Sequence, residues 1–504
     1  MSIPAATTGA TRAQSVLLVS PPAGKSQLGK VPMPPLGLAW LAAVLEADGH
    51  HVEILDCSVR RMDYPALERA LGERRPDLIG ITGTTWTRYE QFRAARLAKR
   101  ALPDVPVVLG GPHVTFASRN TLEKIAEVDF VVKGEGEVPL RQLVAAIAGC
   151  GTASTIPGLS FRRDGAVVDN AVGAFIEDLD SIPVPARHLL DIPAYGQTLF
   201  GQKATTVMSS RGCPVFCSFC STSVMWGVRH RRRSAANVAD EIEDLLGRYG
   251  LGAIWFFDDT FTLNRAHVVG ILDEIERRKL QFTWYCEIRV NTVDFDLLKR
   301  MRSLGCRFVS FGVETASPAM LKRIHKGIKL DQVERVLDWC KTLGIYTKAF
   351  FMFGLPDETF EDGMMTVRFM RRTKPLINEL ALGAGCSIMP GTEVERYAKQ
   401  RGLMAEDFDW TIERYYPENR MNNRPIAVPT LLQPQMGLRE LNRLKFEYYG
   451  TAALSGYNLR ARLRAMRSPA DAWNLLKLGV VFLGYVFRRG VRTRQGGSSE
   501  QPSQ

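Results

Sequence analysis

The chain has 504 residues, of which 45% are hydrophobic and 23% are charged, a composition typical of soluble globular proteins that excludes global disorder. At about 150 residues per domain, this length predicts two or three domains and excludes a single small module. The formal net charge is +12, but residues 441–494 hold eleven Lys and Arg residues and only two acidic ones. The positive charge is therefore local, which argues against a nucleic-acid surface along the whole chain.

The first 150 residues alternate short β-rich apolar runs with helical stretches. The predicted strands are Ser15–Ser20, His51–Asp56, Asp77–Thr82, Pro106–Gly110 and Asp129–Lys133. Because strands that alternate with helices form parallel sheets, residues 14–150 are predicted to fold as a doubly wound α/β domain. Such sheets bind ligands at the carboxyl ends of their strands.

Two common nucleotide-binding motifs are absent from the loop after the first strand. Residues 20–24 do not contain the G-x-G-x-x-G pattern of dinucleotide-binding domains. The tripeptide Gly24-Lys25-Ser26 resembles the end of a phosphate loop, but Val19 occupies the position of the first required glycine.

A second series of strands and helices follows a connector over residues 151–203, where Arg163-Asp164-Gly165 predicts a hairpin. The predicted strands are Thr205–Ser210, Ala253–Asp258, Phe282–Ile288, Phe308–Val313, Thr347–Phe353 and Leu380–Ile388. Six such repeats predict a partial (β/α)6 barrel over residues 204–392, with its chemistry at the carboxyl ends of the strands. Residues 393–494 are predicted to form a helical, basic extension, and residues 495–504 a disordered tail.

Three of the nine cysteines stand together directly after the first barrel strand. Cys213, Cys217 and Cys220 form a C-x3-C-x2-C pattern, and the odd total argues against a disulfide framework. Three thiolates at this spacing can hold a [4Fe–4S] cluster and leave one iron open. A structural zinc site with His230 as its fourth ligand, and three unligated cysteines, are the alternatives.

At these residues the chain resembles the radical S-adenosylmethionine (SAM) superfamily, whose signature carries an aromatic residue, here Phe219, before the last cysteine. The resemblance implies that the open iron chelates SAM and that an electron from the cluster cleaves SAM to a 5′-deoxyadenosyl radical. It also implies SAM contacts at the ends of the later strands, at Asp258, Asp259, Arg289, Glu314 and Gly354. The two aspartates depart from the family's Gly-Gly-Glu form. A salt bridge at the mouth of the barrel is the alternative for each of these positions taken singly.

The loops of the first domain resemble the cobalamin-binding class of this superfamily, in which a flavodoxin-like domain precedes the barrel. The resemblance implies cobalamin contacts at Pro35, Leu36, Thr84, Thr85, Gly110, Gly111, His113, Gly134 and Glu135. A loop-packing role is the alternative for His113, and a degenerate domain that binds nothing is the alternative for the whole. The motif D-x-H-x-x-G, whose histidine ligates cobalt, is absent, and Asp48-Gly49-His50 does not replace it. This implies cobalamin with no protein histidine on the metal.

The class most often transfers a methyl group to an unactivated carbon, with cobalamin as methyl carrier and a second SAM as radical source. A carbon without an acidic C–H bond has no accessible carbanion, so a radical path is needed. The resemblance therefore implies a methyltransferase for a small-molecule or lipid-like substrate, reduced by a flavodoxin-type electron donor. Ring formation or rearrangement is the first alternative, and a non-catalytic cobalamin or redox sensor is the second.

Two basic segments bear on partners and location. The run from Arg229 to Arg233 lacks the interleaved aromatic residues of an RNA-binding surface, so we expect no nucleic-acid partner. Residues 473–487 are mostly apolar and precede Arg488, Arg489, Arg492 and Arg494. At 1.5 Å per residue this segment is shorter than the ~30 Å hydrocarbon core, so it predicts either a core-packing helix or an interfacial one. We expect a cytoplasmic protein, with peripheral contact at the inner membrane face as the sharper hypothesis.

Overall fold

Two seven-stranded sheets, each with its own helices, occupy the first 382 residues of the chain. The computed structural model describes residues 12–24, 31–383, 385–421 and 424–453. The first sheet is built from the predicted N-terminal domain and part of the connector, and the second from the predicted barrel.

The first sheet has the strand order β2-β1-β3-β4-β5-β6-β7. Its strands are β1 (Ser15–Ser20), β2 (His51–Asp56), β3 (Leu78–Thr82), β4 (Val107–Gly110), β5 (Phe130–Val132), β6 (Leu159–Arg163) and β7 (Ala166–Asp169). Its helices are α1 (Leu36–Ala47), α2 (Tyr64–Gly72), α3 (Arg88–Ala101), α4 (Pro112–Phe116), α5 (Ser118–Lys124) and α6 (Glu137–Ile147). The five parallel strands β1 to β5 have the flavodoxin order, which confirms the predicted fold class.

Both faces of this sheet are covered, as the continuous apolar runs of its strands require. Successive residues of β1 point to opposite faces, so Val16 and Leu18 pack in one apolar core while Leu17 and Val19 pack in the other. The core around Val16 and Leu18 is continuous with the buried residues on the outer face of the barrel, such as Val207. The two sheets therefore share one apolar core.

The second sheet has the order β16-β15-β14-β13-β12-β9-β8. Its strands are β8 (Thr198–Leu199), β9 (Gln202–Val207), β12 (Ala253–Phe256), β13 (Thr283–Glu287), β14 (Cys306–Glu314), β15 (Tyr346–Phe351) and β16 (Glu379–Leu382), while β10 (Ser210–Arg211) and β11 (Arg231–Arg232) pair separately. The helices between them are α7 (Thr222–Trp226), α8 (Ala235–Tyr249), α9 (Arg265–Arg277), α10 (Phe295–Ser303), α11 (Pro318–Arg323), α12 (Leu330–Leu343) and α13 (Phe360–Thr373). Six of these strands are parallel, which confirms the partial (β/α)6 barrel.

Two predicted barrel strands are too long by three or more residues at their carboxyl ends. The strand predicted over Thr205–Ser210 stops at Val207, because Ser209 and Ser210 turn to bond the Asp258 carboxylate. The strand predicted over Leu380–Ile388 stops at Leu382, directly before Gly383. In both cases the chain leaves the sheet where the mouth of the barrel begins.

The predicted hairpin in the connector is present and extends the first sheet. The chain turns at Asp164-Gly165 between β6 and β7, β6 pairs antiparallel to β5, and β7 pairs antiparallel to β6. After the barrel come α14 (Glu393–Gln400), β17 (Tyr416–Met421), β18 (Arg424–Ile426) and α15 (Leu438–Ala453). This C-terminal extension packs Trp410 and Leu431 against Ala117 of the first domain and Leu355 of the barrel.

Within the described ranges, no helix is both long and apolar enough to cross a lipid bilayer. The apolar segment 473–487, on which the membrane-contact hypothesis depends, lies outside the described residues.

Candidate active site

A cavity of about 530 Å³ opens at the carboxyl ends of the barrel strands and is closed on one side by the first domain. Its wall carries the thiols of Cys213, Cys217 and Cys220. Its ionisable residues are Asp259, Glu287, Arg289, Glu314 and Lys326, and its larger apolar residues are Trp86, Phe219, Phe350, Met352 and Met389. The structure therefore brings seven of the nine predicted cluster and SAM residues into one cavity.

The cysteine loop between β10 and α7 is shaped by Gly212, which has a φ of +93°. A Cβ atom at this position would lie 2.2 Å from the Arg229 carbonyl oxygen, so only glycine fits. All nine cysteines of the chain are free. Burial raises the pKa of the Cys213 and Cys217 thiols, so these groups become thiolates when a metal replaces their protons.

The donor set fits a three-thiolate cluster better than a single ion. Among the residues that the structure describes, no three His, Cys, Asp or Glu side chains converge on one ion position. His230, the proposed fourth zinc ligand, does not line the cavity and packs edge-on against His267 with ring centroids 6.4 Å apart. Three free thiols on one wall, facing open space, match a cube whose fourth iron has no protein ligand.

The aspartate and glutamate next to the thiols are held by neighbouring hydroxyl groups. Thr222 Oγ1 donates a 3.0 Å hydrogen bond to Asp259 Oδ1. Burial raises the pKa of Asp259 to about 6, against the lowering effect of Thr222. Burial also raises the pKa of Glu287, which accepts a 3.2 Å hydrogen bond from the Tyr285 hydroxyl.

Glu314 ends β14 in a strained backbone conformation, with a φ of +67° at a shift in the pairing register with β15. Its carboxylate accepts a 2.8 Å hydrogen bond from the Lys326 ammonium. Burial lowers the pKa of Lys326, but the nearby Glu314 and Cys217 outweigh it, so the net shift is upward. The Lys326 nitrogen also lies 6.0 Å from the centre of the Phe219 ring.

Two of the predicted SAM residues lie away from the cavity, and their contacts with SAM stay predictions. Asp258 is 3% exposed and turns inward, where it accepts a 2.8 Å hydrogen bond from Ser209 Oγ and another from Ser210 Oγ. Gly354 faces the C-terminal extension, because a Cβ atom there would lie 3.3 Å from a Leu441 methyl carbon. Neither residue lines the cavity. Asp258 instead shapes the start of the cysteine loop.

The residues predicted to contact cobalamin collect at one edge of the first sheet. Pro35 and Leu36 begin α1, Thr84 and Thr85 follow β3, Gly110 and Gly111 follow β4, and Gly134 follows β5. This edge is the carboxyl edge of the five parallel strands, where doubly wound sheets bind ligands. The cobalamin contacts themselves stay predictions.

Gly111 at this edge has a structural role in the contact between two loops. Its φ is +103°, and a Cβ atom there would lie 2.4 Å from the Gly83 carbonyl oxygen. The glycine therefore allows the loops after β3 and β4 to touch.

Two predicted cobalamin residues have buried side chains with partners of their own. His113 is fully buried between the rings of Phe92 and Trp410, at centroid distances of 5.9 and 5.7 Å. Neither ring nitrogen of His113 has a hydrogen-bond partner among the described residues. The Glu135 carboxylate is bound by Arg211 and Arg231. For His113 this packing matches the alternative of a loop-packing role.

Sequence reasoning missed three residues of the cavity wall. Trp86 belongs to the loop after β3 and directly follows the predicted cobalamin residue Thr85, but no role was predicted for Trp86 itself. Lys326 lies in a loop after α11 that carries no motif. Glu287 precedes the predicted Arg289 by two positions and could have been found, because alternate residues of a strand share one face.

The basic run at the barrel entrance is mostly neutralised. Arg231 Nη1 lies 2.8 Å from Glu135 and Arg233 Nη1 lies 2.5 Å from Glu241, and all four side chains are buried. Arg229 pairs with Glu177 at the surface. These arginines join segments of the fold.

Comparisons with known proteins address the family directly. A family model for the B12 binding domain matches residues 29–144, and one for the radical SAM superfamily matches residues 207–370. The first matched range lies within the first domain and its sheet, and the second lies within the barrel. They confirm the predicted cofactor classes, which are a [4Fe–4S] cluster, SAM and cobalamin.

Relatives with known names extend over most of the chain. An uncharacterized methyltransferase of Pyrococcus horikoshii is 36% identical over 396 residues, which is 78% of this chain and 85% of the relative. The anaerobic magnesium-protoporphyrin IX monomethyl ester cyclase of Rubrivivax gelatinosus is 31% identical and covers 68% of this chain, while this chain covers 62% of the cyclase.

A solved structure of the radical SAM methyltransferase TsrM from Kitasatospora setae, with cobalamin and a [4Fe–4S] cluster bound, superimposes with a TM-score of 0.68. The match covers 87% of this chain and 89% of TsrM at 22% identity, so it supports the fold alone. Together with the cysteine triad in its cavity and the relative at 36% identity, the two family models show that this chain belongs to the cobalamin-binding radical SAM enzymes.

Proposed function

We propose that this enzyme transfers a methyl group to an unactivated carbon of a small-molecule or lipid-like substrate. The carrying observation is the shared cavity, in which the three thiols of the barrel face Trp86 of the first domain. The relative at 36% identity is a methyltransferase, which supports methyl transfer over other reactions of the family. No residue that lines the cavity identifies the substrate.

The bound cofactors supply the reactive species, a 5′-deoxyadenosyl radical from SAM at the cluster and a methyl group from cobalamin. Cys213, Cys217 and Cys220 hold the cluster, and the open side of the triad leaves room for the amino-acid end of SAM. Arg289 pairs with the SAM carboxylate, since a guanidinium binds a carboxylate through two hydrogen bonds. Asp259 takes the ammonium, because its Oδ2 is not engaged by Thr222.

Glu314 is the second acidic side chain among the SAM residues of the cavity. Its Oε1 is already bonded to Lys326, so the pair is close to neutral as a whole. We assign it to the hydroxyl groups of the SAM ribose, through the remaining Oε2 acceptor. The pair thereby adds no net charge beside the cluster.

Much of the remaining wall is apolar. Trp86, Phe350, Met352 and Met389 line it, and Trp86 comes from the first domain. The cavity therefore reaches from the cysteine triad to the cobalamin-binding domain.

No protein histidine is placed to ligate cobalt in this proposal. His50 is buried and its Nδ1 accepts a 3.2 Å hydrogen bond from the Gln14 amide. His113 is enclosed, as described above. The chain should therefore copurify with about one equivalent of cobalamin per cobalamin-binding domain, with a spectrum that shows no histidine on the metal.

Ring formation is the second candidate, because the cyclase relative is 31% identical over 349 residues. The two reactions are separated by the mass of the product. Anaerobically reconstituted enzyme is incubated with host metabolite extract, a flavodoxin-type reductant and SAM labelled in its methyl group. A product that gains one labelled CH2 unit supports methyl transfer, whereas loss of hydrogens or gain of oxygen without label supports cyclisation. Release of 5′-deoxyadenosine with no changed metabolite in any extract fraction contradicts both.

A further inference from the structure

Four charged side chains from the two domains meet in a buried cluster beside the cysteine loop. We call Glu135, Glu137, Arg211 and Arg231 the interdomain ion cluster. Their side chains are between 2% and 7% exposed. The two glutamates follow β5 of the cobalamin domain, and the two arginines form the β10–β11 pair that flanks the cysteine loop.

The hydrogen bonds of this cluster join glutamates of the first domain to arginines of the barrel. Arg211 Nη1 donates to Glu135 at 2.8 Å and Arg211 Nη2 donates to Glu137 at 2.7 Å. Arg231 Nη1 lies 2.8 Å from both oxygens of Glu135. The Ile176 amide of the connector also donates to Glu135, at 2.7 Å. One carboxylate thus gathers three segments of the chain.

Aromatic rings fix the plane of the central guanidinium. The Arg211 carbon Cζ lies 4.8 Å from the centre of the Trp40 ring on α1 and 5.3 Å from that of Trp226 on α7. A planar guanidinium that is bonded on two nitrogens and stacked on rings has little freedom to rotate. Arg211 is separated from Cys213 by one residue, Gly212, whose conformation is restricted in turn. The restricted position of Arg211 therefore also restricts the position of Cys213, the first cluster ligand.

Burial makes this cluster a costly way to join two domains. Removing two carboxylates and two guanidinium groups from water is unfavourable, and apolar residues of the same size stabilise an interface at least as well. The large apolar core shared by the two sheets already joins them. The ion cluster adds a fixed relative orientation of the two segments, because bidentate hydrogen bonds specify both distance and angle.

We propose that Glu135 and Glu137 are positioning residues, which hold the cysteine loop at one distance and orientation relative to the cobalamin domain. This inference rests on the proposed function only for the presence of both cofactors, and not on methyl transfer. Loss of Glu137 would leave Arg211 with one carboxylate in place of two, and loss of Glu135 would leave Arg231 with none. In either case the loop would be free to move. The distance between cluster and cobalt would then vary from molecule to molecule.

The first test measures that distance in the loaded enzyme. Pulsed electron paramagnetic resonance reports the separation of the reduced cluster and Co(II) cobalamin, both of which carry an unpaired electron. The chain is compared with Glu137→Gln, with Glu135→Gln/Glu137→Gln, and with Arg211→Lys, which keeps the charge and loses the planar fork. Glu53→Gln is the matched control, because Glu53 pairs with Arg74 on the far side of the cobalamin domain, from β2.

We expect one narrow distance in the unchanged chain and in Glu53→Gln, and a distribution about twice as wide or shifted in the three test variants, because bidentate geometry is lost. Iron and cobalamin contents should stay at the level of the unchanged chain. A distribution identical in all five proteins overturns the proposal. So does loss of iron from folded Glu137→Gln, because the carboxylate would then build the cluster site and not position it.

The second test needs no cofactor. Hydrogen exchange of the amides in residues 209–226 is measured in the cofactor-free chain and in the same variants. We expect exchange of this segment to rise about tenfold or more in the test variants, because each of them removes a charge or a bidentate hydrogen bond from the buried cluster and so favours local opening. Exchange in the control should not change. Equal exchange in Glu137→Gln and Glu53→Gln overturns the proposal, even if the double variant does not fold or the unchanged chain binds no cobalamin.

Discussion

The Lys326 ammonium donates a 2.8 Å hydrogen bond to the Glu314 carboxylate inside the wall of the cavity that holds the cysteine triad. Both side chains are nearly buried, at 11% and 9% exposure. Removing one partner of such a pair costs more stability than replacing both, because it leaves a buried charge without compensation.

We therefore expect Lys326→Met to lower the free energy of unfolding by about 3–5 kcal/mol. The measurement is urea unfolding of the cofactor-free chain under anaerobic conditions. Arg335→Met is the control, because Arg335 and its partner Asp331 are more than half exposed, and its loss should cost about 1 kcal/mol or less. Equal losses of unfolding free energy in the two variants would show that the Glu314 carboxylate finds another partner or is solvated by water.

The cysteine triad predicts the metal content. The reconstituted chain should hold about four iron and four sulfide ions, with broad absorption near ~400 nm. Replacing Cys213, Cys217 and Cys220 together by Ala should remove the iron, the absorption and reductive SAM cleavage. Cys150→Ser, at a cysteine outside the cavity, should change none of these. SAM cleavage by the triple variant would falsify the assignment.

His113 predicts a pH dependence of stability. Burial, together with the positive charge of Arg88, holds the pKa of His113 well below its usual 6.5, so the unfolded chain binds this proton more readily than the folded one. Stability is therefore complete above pH 6.5 and falls below it, by about 1.4 kcal/mol per pH unit for this residue. Burial lowers the pKa of His230 and of His267 to about 4, so both add to the slope in the same direction.

The check is the free energy of unfolding of the unchanged chain and of His113→Leu between pH 7.5 and pH 5.5. The slope of the variant below pH 6.5 should be lower by up to about 1.4 kcal/mol per pH unit, which is the contribution of this residue. His51→Leu, at an exposed position, is the control and should keep the full slope. A slope in His113→Leu equal to that of the control would contradict the inferred pKa.

Arg88 predicts how the C-terminal extension is held. This fully buried side chain donates to the carbonyl oxygens of Trp410 at 3.0 Å and Ala427 at 2.7 Å. Arg88→Met should release the segment between them, so that trypsin cleaves after exposed Arg414 about tenfold faster, since local opening limits proteolysis. Arg93→Met, on the same helix, removes a surface contact to Glu413 and a contact with the Tyr64 ring, and should not change the rate. Unchanged cleavage in Arg88→Met would mean that apolar packing alone holds the segment.

The basic, apolar C-terminus predicts membrane contact. Residues 473–487 with the four following arginines should bind vesicles that contain anionic lipid, because each basic residue near such a surface contributes about 1 kcal/mol. The full chain should float with these vesicles, and a chain that ends at Ser468 should not. Flotation of both chains, or of neither, would remove the argument for a lipid-like substrate.

Local sequence patterns determined the architecture and the metal ligands. Alternating strands and helices specify a parallel sheet wherever they occur, because each crossover helix must cover a face of the sheet. The strands of the first domain therefore appeared within one residue of their predicted starts. The triad of Cys213, Cys217 and Cys220 was readable for the same reason, since all three ligands come from one short loop.

Only the tertiary structure decided which way individual side chains face. Asp258 and Asp259 are neighbours, yet one turns inward to the hydroxyls of Ser209 and Ser210 and the other lines the cavity. His113 is enclosed by Trp410, almost three hundred positions away in the chain. Glu135 stands at the predicted ligand edge, but its carboxylate is bound by arginines of the other domain. A pattern places a residue at an edge of a sheet, whereas its partners come from distant segments that meet only when the chain has folded.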